Sequence, residues 1–199
     1  MRIVVAGVIL AAALSSAMPA AAHPHVFIDY AVALQFEAGA LKSVRMTWTF
    51  DEMYSSMLFH DYTSRPRGPL SSADVSRLQK GAFEDTADYH YFVDVKLNGK
   101  TLEVKKVTDF TAKFEKHRMT YAFTVPISGP AAVGPNALEI DAFDNEFYID
   151  FELVDRDAVS VEQGEDLGVA CAPKKARKDT PVIGAVDAVV MSCTWGQAS

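Results

Sequence analysis

The chain has 199 residues, of which 49% are hydrophobic, 23% charged and 11% aromatic, the profile of a folded globular protein rather than a disordered or collagen-like one. Its net charge of −7 disfavours nucleic acid as a partner. Residues 1–22 pair Arg2 with an apolar run from Ile3 to Leu14 and small residues ending at Ala22, the pattern of a cleaved secretory signal. Cleavage leaves residues 23–199 as one domain, short for a two-lobed solute-binding clamp. It also leaves no apolar run of the ~20 residues an integral membrane helix needs.

From His25 to Phe36 the hydrophobic residues alternate, and Leu41 to Phe50 repeats the pattern after a turn at Gly39, so the two stretches read as an antiparallel hairpin. At Asp51 the period changes to that of a short helix ending near His60, with Asp51 as its N-cap. Met53 and Met57, at i and i+4, are expected in the core and not as soft copper ligands. A polar loop from Thr63 to Pro69 leads to a second helix starting near Ala73 and capped by Ser71 or Ser72. Asn98-Gly99 marks a hairpin between Tyr91–Leu97 and Leu102–Val107. Another turns at Lys116-His117-Arg118, and a Pro/Gly loop from Pro126 to Pro135 precedes strands Ala137–Phe143 and Phe147–Val154. The tail from Val169 is less regular, and its Lys174, Lys175, Arg177 and Lys178 read as a solvated basic loop. The expected class is mainly β (α+β): a two-layer antiparallel β-sandwich, immunoglobulin-like, with a short helical insertion around residues 51–90.

Two cysteines, Cys171 and Cys193, form an even set in an exported chain, which favours a disulfide over free thiols or metal ligation and gives a closed C-terminal segment 171–193. Signal cleavage would make His23 the first residue, its α-amine free beside its own imidazole. His25 lies two residues on, on the same side of an extended chain, so one cation can take nitrogen from both. Pro24 has no amide N–H, which excludes the planar amino-terminal site that needs an ionised amide at position two. The remaining ligands would come from Asp51, Glu52, His60, His90, Asp141 or Asp144, with Asp51 and Asp144 preferred. Imidazole and amine nitrogens suit nickel, cobalt, zinc or copper over magnesium or calcium.

Four segments carry a family resemblance: HPHVFID at His23–Asp29, WTFDEMYSS at Trp48–Ser56, YHYFVDV at Tyr89–Val95 and DAFDNEFYIDFEL at Asp141–Leu153. In these the chain resembles an exported bacterial domain-of-unknown-function family, number 1007, a periplasmic component of an uncharacterised transport system. The resemblance implies handling of a divalent metal beside an inner-membrane nickel, cobalt or zinc permease. In similar sequences the loop between the helices can look like an acidic calcium loop. Here Asp61–Ser72 holds one carboxylate, two arginines and a serine at the closing position, so no calcium is expected there.

The leading expectation is thus a periplasmic metal-binding accessory protein and not an enzyme. Two other classes stand beside it: a copper-dependent oxidative enzyme using the N-terminal histidine chelate, and a non-metal β-sandwich that docks a protein. No zinc-protease helix, nucleophile elbow or phosphate-binding glycine loop is present in the sequence.

Overall fold

A computed structural model describes residues 25–65, 68–127, 135–155, 157–181 and 183–196. The expected signal segment, His23 and most of the loop expected between Pro126 and Pro135 lie outside these. Strand β1 (Val26–Glu37) and strand β2 (Ala40–Phe50) form the expected hairpin, turning at Ala38-Gly39, both at positive φ. Helix α1 (Glu52–Tyr62) follows, and its N-cap is Asp51. Helix α2 (Ser72–Leu78) starts at a capping box in which Ser71 and Asp74 satisfy each other's backbone amides. It continues through a π turn, Gln79–Phe83, into a 3-10 segment, Glu84–Phe92.

The remaining strands are β3 (Val93–Leu97), β4 (Lys100–Leu102), β5 (Thr108–Glu115), β6 (Arg118–Pro126), β7 (Asn136–Ala142), β8 (Ile149–Leu153), β9 (Val159–Glu162), β10 (Ala170–Thr180) and β11 (Gly184–Trp195). They make two sheets. One runs β5-β6-β2-β1-β8, with β9 also pairing β1; the other runs β10-β11-β7-β3-β4. Most neighbours are antiparallel, but β8 and β9 share one edge of β1 in parallel, β8 along Val26–Tyr30 and β9 along Val32–Gln35.

The sheets stack as a β-sandwich because alternation buries one face of each. Val26, Ile28, Tyr30, Val32, Leu34 and Phe36 of β1 are all buried, as are Leu138 and Ile140 of β7 and Met191, Cys193 and Trp195 of β11. Phe36 meets Trp195 edge to face, and the Tyr30 hydroxyl donates to the Val189 carbonyl across the layers. The helical insertion closes the part of the first sheet that the second leaves open, driving Phe83 among Trp48, Phe110, Tyr121 and Phe123.

Two expectations need correction. The tail beyond Val169 is a long regular hairpin, with Ala170–Thr180 paired against Gly184–Thr194. Its lysines are not a solvated loop: Lys174 pairs with Glu139, while Lys178 bridges Asp94 and Asp141 over the ring of Phe143. Met53 and Met57 are outside the core, 73% and 48% exposed. Cys171 and Cys193 sit directly opposite each other on β10 and β11 and are joined by a disulfide.

Candidate functional site

Strand directions bring the chemistry-bearing segments to one end of the sandwich. β1 begins there with His25. β2 runs back and delivers Asp51 and the first turn of α1 to the same end. β7 arrives with Asp141 and Phe143, the Asp144 turn crosses over, and β8 starts beside β1. The antiparallel pairing of β3 with β7 places His90 there too, and the β5–β6 turn adds His117. The described parts of all four segments that carry the resemblance meet at this rim.

Its construction is held by carboxylates acting on backbone. Asp51 accepts from the Tyr54 amide at 2.8 Å with Oδ1, which caps α1, and from the Phe27 amide at 3.1 Å with Oδ2. Asp144 is buried, 4% exposed, and accepts three amides: Glu146 on Oδ1, and Tyr148 and Ile149 on Oδ2, at 2.9–3.0 Å. The Tyr148 carbonyl then accepts the His25 amide at 2.9 Å, and the exposed His25 ring lies 4.9 Å from the Tyr148 ring. Both aspartates therefore fix the backbone within two residues of His25. Of the preferred ligand set, the structure gathers His25, Asp51 and Asp144 at one rim, while His23 lies outside the described residues. Among the described residues no group of three or more histidine, cysteine, aspartate and glutamate side chains is placed to hold one metal ion.

The other candidates do not turn their side chains toward one point with these, although Glu52, His90 and Asp141 lie on segments that reach the same end. Glu52 is exposed in the first turn of α1. His60 stands on the far part of α1, its Nδ1 3.0 Å from Asp61 Oδ1. His90 belongs to a run of three left-handed residues, with Tyr91 and Phe92, a strained backbone that stacking of Phe92 on Tyr89 and of Tyr91 on Phe83 holds in place. Asp141 faces out of the second sheet, where burial raises its carboxyl to about 6 although the Lys178 ammonium beside it pulls the other way.

Sequence reasoning missed three residues that build the rim. Arg118 donates to the Phe50 and Thr49 carbonyls and pairs with Asp29 at 2.7 Å, tying β6, β2 and β1 together. Ser55 is fully buried, donating to the Phe50 carbonyl and accepting the Met119 amide. Tyr148 supplies the carbonyl and ring beside His25. Arg118 reads in sequence as part of a turn, Ser55 as a polar position on a helix and Tyr148 as one residue of a strand, so only the tertiary contacts reveal their work.

A family model described as "Protein of unknown function (DUF1007)" matches residues 8–182. The chain belongs to that family. A curated relative, the "Uncharacterized 15.5 kDa protein in trpE 3'region" of Spirochaeta aurantia, is 30% identical over 90 residues, 45% of this chain. The match spans 64% of that relative's length, a little under two thirds. Among the described residues of this DUF1007 protein, no helix is long and apolar enough to cross a membrane.

Proposed function

We propose that this protein is an exported, non-enzymatic accessory of a metal transport system, which carries one divalent transition metal ion as cargo and presents it to an inner-membrane permease. In this reading the signal segment is removed after Ala22, and the His23 amine and imidazole together with the His25 imidazole hold nickel, cobalt, zinc or copper in the periplasm. The observation that carries it is the convergence of the family segments on the rim where β1 begins at His25. Asp51 and Asp144 serve there chiefly by fixing the strand start through backbone amides, as the rigid base a short chelating terminus needs.

The test compares natively processed protein, a variant with one glycine ahead of His23, and His25→Ala, by competition with a chelator of known affinity for nickel, cobalt, copper and zinc. The added glycine turns the His23 amine into an amide and moves the new amine out of chelating position. Losing one of three nitrogen donors should weaken binding roughly ten- to a hundredfold, equivalent to about 1–3 kcal/mol. His25→Ala should weaken it separately. Equal affinities across all three proteins would refute the terminal site.

A further inference from the structure

Of the five methionines among the described residues, Met46, Met119 and Met191 are buried at 0–3% exposure, while Met53 and Met57 stand in solvent on one helix. Neither is among the buried residues of the hydrophobic core. At 73% and 48% exposure they leave much of their apolar surface in water, and their spacing puts both on one face of the helix. Positions 53, 57 and 60 are spaced i, i+4 and i+7, which at 3.6 residues per turn places them within an arc of about 60° along α1. The third residue of the stripe is His60, whose side chain is 89% exposed. Its Nδ1 faces Asp61 Oδ1 at 3.0 Å, so in the neutral ring Nδ1–H donates to the carboxylate and Nε2 keeps its lone pair.

We propose that Met53, Met57 and His60 form a surface site for a soft monovalent cation, Cu(I) or its redox-inert counterpart Ag(I). Two thioether sulfurs and one imidazole nitrogen are a trigonal donor set of the softness Cu(I) selects, and thioethers contribute little toward zinc or nickel. The spacing permits closure. Met57 is central, about 6 Å along the axis from Met53 and about 4.5 Å from His60, distances that a three-torsion methionine and an imidazole span around one ion. Asp61 orients the ring, as carboxylates do behind metal-bound histidines. The polar neighbours Glu52, Ser56 and Asp61 make the apolar part of this stripe too narrow for a protein-docking face. The site does not depend on His23 or His25, so it stands or falls apart from the proposed terminal site.

The test titrates the natively processed protein with Ag(I) and follows the methionine methyl signals by NMR, with Cu(I) competition under anaerobic conditions in parallel. The expected result is saturation at one added ion by the Met53 and Met57 methyls, while those of Met46, Met119 and Met191 stay unmoved. Met53→Leu, Met57→Leu and His60→Ala should each weaken Ag(I) binding tenfold or more. All three side chains are exposed, and circular dichroism checks that the helix persists. His25→Ala should leave these shifts intact, and Zn(II) should not reproduce them. Unmoved Met53 and Met57 signals, or variants that bind as the parent does, would overturn the site. So would loss of the signal in His25→Ala, which would assign the ion to the terminus.

Discussion

Asp144 is the residue on which the rim turns. One buried carboxylate satisfies three amides of a turn that also seats the His25 backbone. Asp144→Ala should therefore cost about 1–3 kcal/mol in urea denaturation, from three part-buried amides left without their acceptor. Asp144→Asn, which keeps an acceptor, should cost less. Asp141 makes the opposite case. Its carboxyl is raised from 3.8 to about 6, chiefly by desolvation, among Lys178, Asp94 and Glu139. The folded chain thus binds this proton more tightly than the unfolded chain. Its ionisation destabilises fully above pH 6, and the penalty is relieved as pH falls from about 6 toward 4. A rise of that size corresponds to about 3 kcal/mol. Measured against Asp141→Asn, the parent should gain about 2–3 kcal/mol in relative stability between pH 7 and pH 4. A constant difference would show that Lys178 fully compensates the burial. Asp74, held well below the usual carboxylate range by Ser71 and Arg77, adds stability that is lost only at lower pH, outside that window.

At the scale of elements, what was legible in the sequence was what local chemistry dictates. Alternation located β1, β2 and β6, Asp51 and Ser71 marked helix starts, and Asn98-Gly99 marked a turn with both residues at positive φ. The β10–β11 hairpin was not legible, because Pro173 and four basic residues contradict strand propensity. An edge strand tolerates both: its outer amides need no partner, and the lysines find acids on β3 and β7. Met53 and Met57 were misplaced because helical spacing gives the period of an apolar stripe and not which way it faces. The disulfide belongs to this hairpin. It joins the edge to a strand whose Cys193 is wholly buried, so changing both cysteines to alanine should cost about 2–4 kcal/mol and leave the β7–β3–β4 pairing in place. Denaturant midpoints with and without reductant check this. Gly81 is a separate joint: a Cβ there would meet Tyr62 Cε1 at 2.4 Å, and the Tyr62 hydroxyl donates to its carbonyl. Gly81→Ala should destabilise by about 1–3 kcal/mol and loosen α1 from the π turn.

Over the whole molecule, the class of a β-sandwich with a helical insertion followed from counting strands, and the family from four short segments. Their meeting at one end did not, because it depends on which strands pair and in which direction. His25, Asp51 and Asp144 were picked for their donor atoms; the fold shows them as neighbours and gives the two carboxylates to backbone amides. The arrangement of β1 has a kinetic consequence. Among the described residues it is the first strand, yet one edge is paired by β8 and β9, from the last third of the chain. Pairings so distant along the polymer are closed late and slowly, since loop entropy must be spent before contacts repay it. During synthesis β1 would be made first and wait, with its β8-facing edge bare, until Ile149–Glu162 arrives. A chain stopped after Val125 lacks β8, β9 and all of the second sheet except β3 and β4, so it should remain open to protease. The rim is thereby assembled last although its first strand is made first, so its geometry reports completion of the whole fold.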